Sequence, residues 1–119
     1  MKAEIKYLHS PDVLNLETFT PIIPDSFGFL LQMMVGEKNK EGEESFDIMV
    51  CTPKWLIENQ KKSDIILGLH YLIIFEYNYS RLYNKLKSIV DNVNGETWAD
   101  IGSKLGVIGK WEFQDYTTH

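Results

Sequence analysis

Cysteine is nearly missing from this chain. Cys51 is the only one in 119 residues, so no disulfide can form within the chain and no cysteine cluster can hold a metal. Histidine is almost as scarce, with only His9, His70 and His119. No two of them have a ligand spacing such as i, i+4 on a helix, so neither a metal nor a cofactor is expected. Long apolar runs are absent too. The richest segment, residues 65–75, falls short of the roughly 18 apolar residues of a membrane span and is broken by Gly68 and His70. The opening MKAEIKYLHS alternates charged and apolar groups, unlike a secretory signal peptide. No membrane is expected as a partner, and the expected location is cytoplasmic. Positive charge is in deficit: 12 Lys and Arg against 17 Asp and Glu leave a net charge of −5. Phosphate binding relies on Lys and Arg, so nucleic acid is a poor candidate ligand. A basic protein partner suits the balance better, because complementary potentials speed encounter. Gly102, Gly106 and Gly109 lack the strand, glycine loop and helix order of a phosphate loop and read as turn glycines.

What is present describes one ordinary globule. Hydrophobic residues make up 44% and charged residues 24%, enough for a single domain over residues 1–119 with a real apolar core. Alternation of Ala3, Ile5, Tyr7 and His9 marks a first strand over about residues 2–9. Its Lys2, Glu4 and Lys6 have the charged look that discourages edge pairing. Residues 10–26 hold three of the four prolines and read as an ordered connection with one helical turn near residues 12–17. Phe27, Phe29, Leu31, Met33 and Val35 mark a second strand. Leu30 and Met34 make its other face apolar as well, so it should be central or helix-covered. A polar turn follows over residues 36–43.

Residues 42–56, GEESFDIMVCTPKWL, are the most telling stretch. An acidic turn leads into a strand over residues 44–51, with Phe46, Ile48 and Val50 on one face and Ser45, Asp47, Met49 and Cys51 on the other. Thr52 can cap the next helix, over residues 53–60, and Pro53 suits its first position because it has no N–H to leave unpaired. Residues 61–64 read as a loop. A fourth strand lies within residues 69–75, LHYLIIF. Tyr79, Leu82, Tyr83, Leu86, Ile89, Val90 and Val93 then form one apolar stripe at helical spacing. Asn78 or Ser80 can cap this helix, with Gly95 at its exit. A shorter helix fits residues 98–105, capped by Thr97 with Asp100 in reply. Trp111 and Phe113 close on a short strand. The expected fold is α+β: an antiparallel sheet of about four strands, with a long and a short C-terminal helix packed on one face.

Little here looks catalytic. A Cys51–His70 thiol–imidazole pair would need contact and an orienting third group, and nothing singles one out; a lone strand Cys is usually a small buried hydrophobe. The carboxylates Glu37, Glu41, Glu43, Glu44 and Asp47 cluster at the hairpin, and Glu112 and Asp115 near the end. They lack the pocket that acid–base work needs, and they suit a solvated tip or an acidic lure for a basic protein. Trp111, Phe113 and Tyr116 sit among acidic groups in KWEFQDY. Trp111 and Phe113 suit the core, whereas Tyr116 is expected to be exposed. If exposed, the mixture would have the composition of an interface hot spot.

Taken in order, SFGFLLQMMVG, GEESFDIMVCTPKWL, HYLIIFEYNYSRLYNKL and GKWEFQDY resemble the immunity protein 8 family of bacterial polymorphic toxin systems. The resemblance spans nearly the whole chain, and GEESFDIMVCTPKWL is its most specific part. It implies a small cytoplasmic, non-enzymatic protein that binds the C-terminal domain of a cognate toxin encoded beside it. It carries over no catalytic residue. Charge alone suggests a basic nuclease as the toxin. The residues expected to touch it are Glu37, Glu41, Glu43, Glu44, Asp47, Glu112, Asp115 and Tyr116. Two rival readings are a regulatory or scaffold subunit that oligomerises through a sheet edge, and a small hydrolase built on Cys51 and His70.

Overall fold

The computed structural model describes residues 1–60 and 65–113. The loop expected at residues 61–64 lies outside them, as do Asp115, Tyr116 and His119. Five strands and three helices follow in the order β1 (Ala3–His9), β2 (Gly28–Glu37), β3 (Glu44–Cys51), α1 (Pro53–Asn59), β4 (Tyr71–Ile73), α2 (Tyr79–Asp91), α3 (Trp98–Leu105) and β5 (Lys110–Trp111). The architecture is α+β, as expected.

The sheet runs β1-β2-β3-β4, and β5 pairs with the start of β3 beside β4. The β1–β2, β2–β3 and β3–β5 pairings are antiparallel, while β4 runs parallel to β3. The physical reason lies in the connection. Between β3 and β4 the chain makes a helical crossover through α1, which returns it to the end it came from, whereas a tight turn would reverse it. A register shift between Ile5 and Tyr7 in β1 turns Leu8 inward beside Met33 and Tyr7 outward beside Met34.

The inner face carries the core. Phe29, Leu31, Met33 and Val35 of β2 and Phe46, Ile48 and Val50 of β3 are buried. Leu82, Leu86 and Val90 of α2 cover them, with Ile101 and Leu105 of α3. Full burial of side chains this size contributes roughly 1.5–3 kcal/mol each. The 10–26 connection folds against the same core through Val13, Leu16 and Phe19. Phe19 meets Phe27, Phe29 and Tyr77 edge to face, the geometry aromatic quadrupoles favour.

The caps follow the local chemistry. Thr52 accepts from the Trp55 N–H, Asn78 from the Arg81 N–H at 3.0 Å, and Thr97 with Asp100 forms a full capping box. Gly95 is not the exit of α2. Asn92 ends that helix in a right-handed conformation, its N–H bonded back to Ile89 and Val90. Gly95 instead leaves room for Asp100, which would lie 2.7 Å from a Cβ built there.

Candidate functional site

The acidic hairpin tip is an ordered turn. Asn39 takes φ 64° and Gly42 φ 98°, the left-handed conformations a reversal this tight demands. Glu4 accepts from the Asn39 N–H and pairs with Lys6, each at 2.9 Å. Those two contacts hold the Glu4 carboxyl below its usual range. The Lys6 ammonium also bonds to the Lys40 carbonyl at 2.6 Å. Glu37 pairs with Lys40 at 3.4 Å. Glu41 and Glu43 are exposed and form no ion pair with any described residue. Together with Glu37, Glu44 and Trp98 they line a shallow cleft of about 290 Å³.

Glu44 of that tip and Glu112 of the C-terminal group have internal work as well. One oxygen of Glu44 accepts from both the Trp98 indole at 2.7 Å and the Trp111 indole at 2.9 Å. The carboxylate is thus a strut between α3 and β5. Glu112 accepts from the Ser45 N–H at 2.7 Å and donates its own N–H to the Ser45 carbonyl, so it extends the β3–β5 pairing. Trp111 is in the core, 6% exposed, and stacks on Phe46. Phe113 is at the surface, in edge contact with Trp111. The expectation of a core position holds for Trp111 but not for Phe113, because β5 ends at Trp111 and the turn after it carries Phe113 outward. Asp115 and Tyr116 lie outside the described residues.

Asp47 belongs to a different surface. Its cross-strand neighbours are Gln32 of β2 and Lys110 of β5, and all three side chains stand on the outer face of the sheet. Tyr7, Leu30, Met34, Met49 and Tyr71 share that face by register. None of them is fully buried, and Tyr7 is half exposed. The apolar second face of β2 fits its central place between β1 and β3, and α2 and α3 lie on the opposite side of the sheet. Trp55 of α1 reaches the outer face at one end, where its ring takes the space of the missing Gly28 side chain. The Leu30 and Met34 alternation was the sequence signal for this surface. What it could not show is that α2 and α3 pack on the other face.

The thiol–imidazole pair does not form a reactive unit. Cys51 is buried, and burial pushes its thiol up, away from the thiolate that attacks. His70, at φ 63°, bonds through Nε2 to the Gly106 carbonyl at 2.6 Å, which ties β4 to the end of α3. Among the described residues no group of His, Cys, Asp and Glu is arranged to hold a metal ion, and no helix is long and apolar enough to cross a membrane.

The model of the family described as Immunity protein 8 matches residues 3–116, nearly the whole chain. No curated protein and no solved structure matches.

Proposed function

The chain belongs to the immunity protein 8 family, and on that footing we propose that it neutralises a cognate bacterial toxin domain in the cytoplasm by protein–protein occlusion. The observation that carries this is the family match over residues 3–116. The chemistry of the chain supports a binding role. The rival nucleophile is a buried thiol held in its neutral form, and the imidazole paired with it in that reading is spent on a backbone carbonyl.

Electrostatics supply the encounter. Glu41 and Glu43 project from the hairpin tip, with Glu37 behind them, and the chain carries a net charge of −5. A basic toxin surface, such as that of a nuclease, would be drawn to such a tip, and rim charges act mainly on association rate and salt dependence. Glu112 sits across the β3–β5 pairing from this tip, and Asp115 and Tyr116 complete the proposed contact set.

The test is binding to the toxin domain encoded beside this chain, with Glu41→Lys and Glu43→Lys combined. Glu44 is kept intact because its change would disturb two tryptophans. The double reversal should slow association by about tenfold or more at low salt and flatten its salt dependence. Unchanged association at every ionic strength would remove the acidic tip from the mechanism.

A further inference from the structure

We propose that the free edge of β4 takes an extended segment of the toxin domain as an added strand, and that this segment sets an apolar side chain into the cleft between β4 and α2, with an Asp or Glu against Arg81 and Lys85. This rests on the toxin-binding role and names one part of its interface.

The first observation is the backbone of the edge. β4 is the last strand of the β1-β2-β3-β4 order. The Met49 N–H donates to the His70 carbonyl and the Ile74 N–H to the Cys51 carbonyl, each at 2.9 Å. Backbone groups of successive strand residues point to opposite sides. His70, Leu72 and Ile74 therefore turn theirs toward β3, and Tyr71 and Ile73 turn theirs away. The Tyr71 N–H is taken by the Gly68 carbonyl at 3.3 Å. The Tyr71 carbonyl and both backbone groups of Ile73 bond to no described residue. Open groups in strand geometry are recognised by another strand. The other edge of the sheet is guarded: Lys6 pairs with Glu4 there, and Lys2 bridges to Asn94. β4 carries no charge, Ile73 is 47% exposed, and Phe75 just beyond it is 78% exposed.

The second observation is the cleft beside this edge. It has a volume of about 290–320 Å³ in round terms, printed by its lining as 320 Å³, and lies between β4 and α2. Leu72, Ile74 and Leu82 line it, and all three belong to the core or pack against it. A strand added to β4 places every second side chain on the α2 side of the sheet. An apolar residue there would fill the cleft and carry the core one strand further.

Charge describes the rest of the occupant. The charged residues lining the cleft are Glu76, Arg81 and Lys85. Arg81 and Lys85 are exposed and form no ion pair with any described residue. Two cations against one acid leave the cleft positive, so an acid on the incoming segment is favoured. A second copy of the chain would bring a like pair of cations to the seam, on chains of net charge −5 each. Nucleic acid offers no strand backbone to the edge.

The experiment follows amide exchange by NMR in the full labelled chain, free and bound to the adjacent toxin domain. The Ile73 amide should exchange about tenfold or more slowly in the complex. Ile73→Pro removes that outward N–H and leaves the β3 ladder its bonds. It should speed toxin dissociation by about tenfold, with the urea midpoint as a check on the fold. Arg81→Gln with Lys85→Gln should speed dissociation by about threefold. Dissociation is the quantity read because the change in net charge acts mainly on association. If the toxin binds and Ile73 exchanges at the same rate free and bound, the proposal fails while the toxin-binding role stands. Native dissociation rates in both variants would have the same meaning. If the native chain does not bind, both readings fail together. Ile73 protection in the free chain that grows with concentration would make the edge a self-interface and overturn the proposal.

Discussion

Glu44 shows how a residue's partners change its meaning. Read along the chain, it is one more acid in an acidic turn. In space its oxygen takes hydrogen bonds from Trp98 and Trp111. Those partners lie 54 and 67 positions away, so nothing near Glu44 in the chain announces them. Glu44→Ala would leave the indole N–H of the buried Trp111 without an acceptor and weaken the hold on α3. It should destabilise the fold by about 2 kcal/mol, measured as a lower urea midpoint. The free-energy change should be shared by tryptophan fluorescence and far-UV dichroism. Asp47 is the contrasting residue. Its place on the strand face opposite Phe46 and Ile48 was legible from alternation alone, but its lack of a partner was not, because that depends on what β5 brings alongside.

Elements were legible in proportion to how local their signals are. The bounds of β3 and α3 agree with the residues read from pattern and caps, since alternation, Thr52 and the Thr97–Asp100 box all act within a few positions. β4 has three residues. A strand that short has no period to read, and its parallel pairing is decided by the crossover before it. The Gly95 signal misled because a glycine was needed there for packing against Asp100, not for ending a helix.

The tie between the 10–26 connection and α2 is also long-range. The Tyr77 hydroxyl donates to the Leu16 carbonyl, just ahead of the α2 cap. Burial raises the Tyr77 phenol to about 12 from an ordinary 10. The folded chain therefore holds this proton more tightly than the unfolded chain does. Its contribution is fully present below pH 10 and is lost as pH climbs toward 12. Tyr77→Phe should cost roughly 1 kcal/mol at neutral pH and make stability fall less steeply across that alkaline window, as read by urea unfolding at a series of pH values. Tyr79 shifts in the same direction, also chiefly by burial, so a smaller alkaline slope should remain. An identical slope in both chains would mean that Tyr77 is not the group responsible.

At the scale of the whole molecule, composition and order of elements were enough for an acidic α+β domain, and the family resemblance was enough for a role. The two faces of the sheet were not told apart. An apolar row on each side of β2 predicts a central or helix-covered strand; β2 is central, between β1 and β3, and the placement of α2 and α3 shows which row they cover. The molecule carries an acidic tip and, away from it, an apolar row on the outer face of the sheet. In the proposed role, charge reversal at Glu41 and Glu43 should slow association and leave dissociation nearly unchanged.

The central claim is inhibition by occupancy, and titration of toxin activity tests it most directly. Increasing amounts of the purified chain are added to a fixed amount of the adjacent toxin domain, well above the dissociation constant. Residual toxin activity should fall linearly, end at a fixed molar ratio and be independent of incubation time. Complete loss of activity at a small fraction of one equivalent, deepening with time, would show a chain that turns over the toxin or its product and would contradict the account.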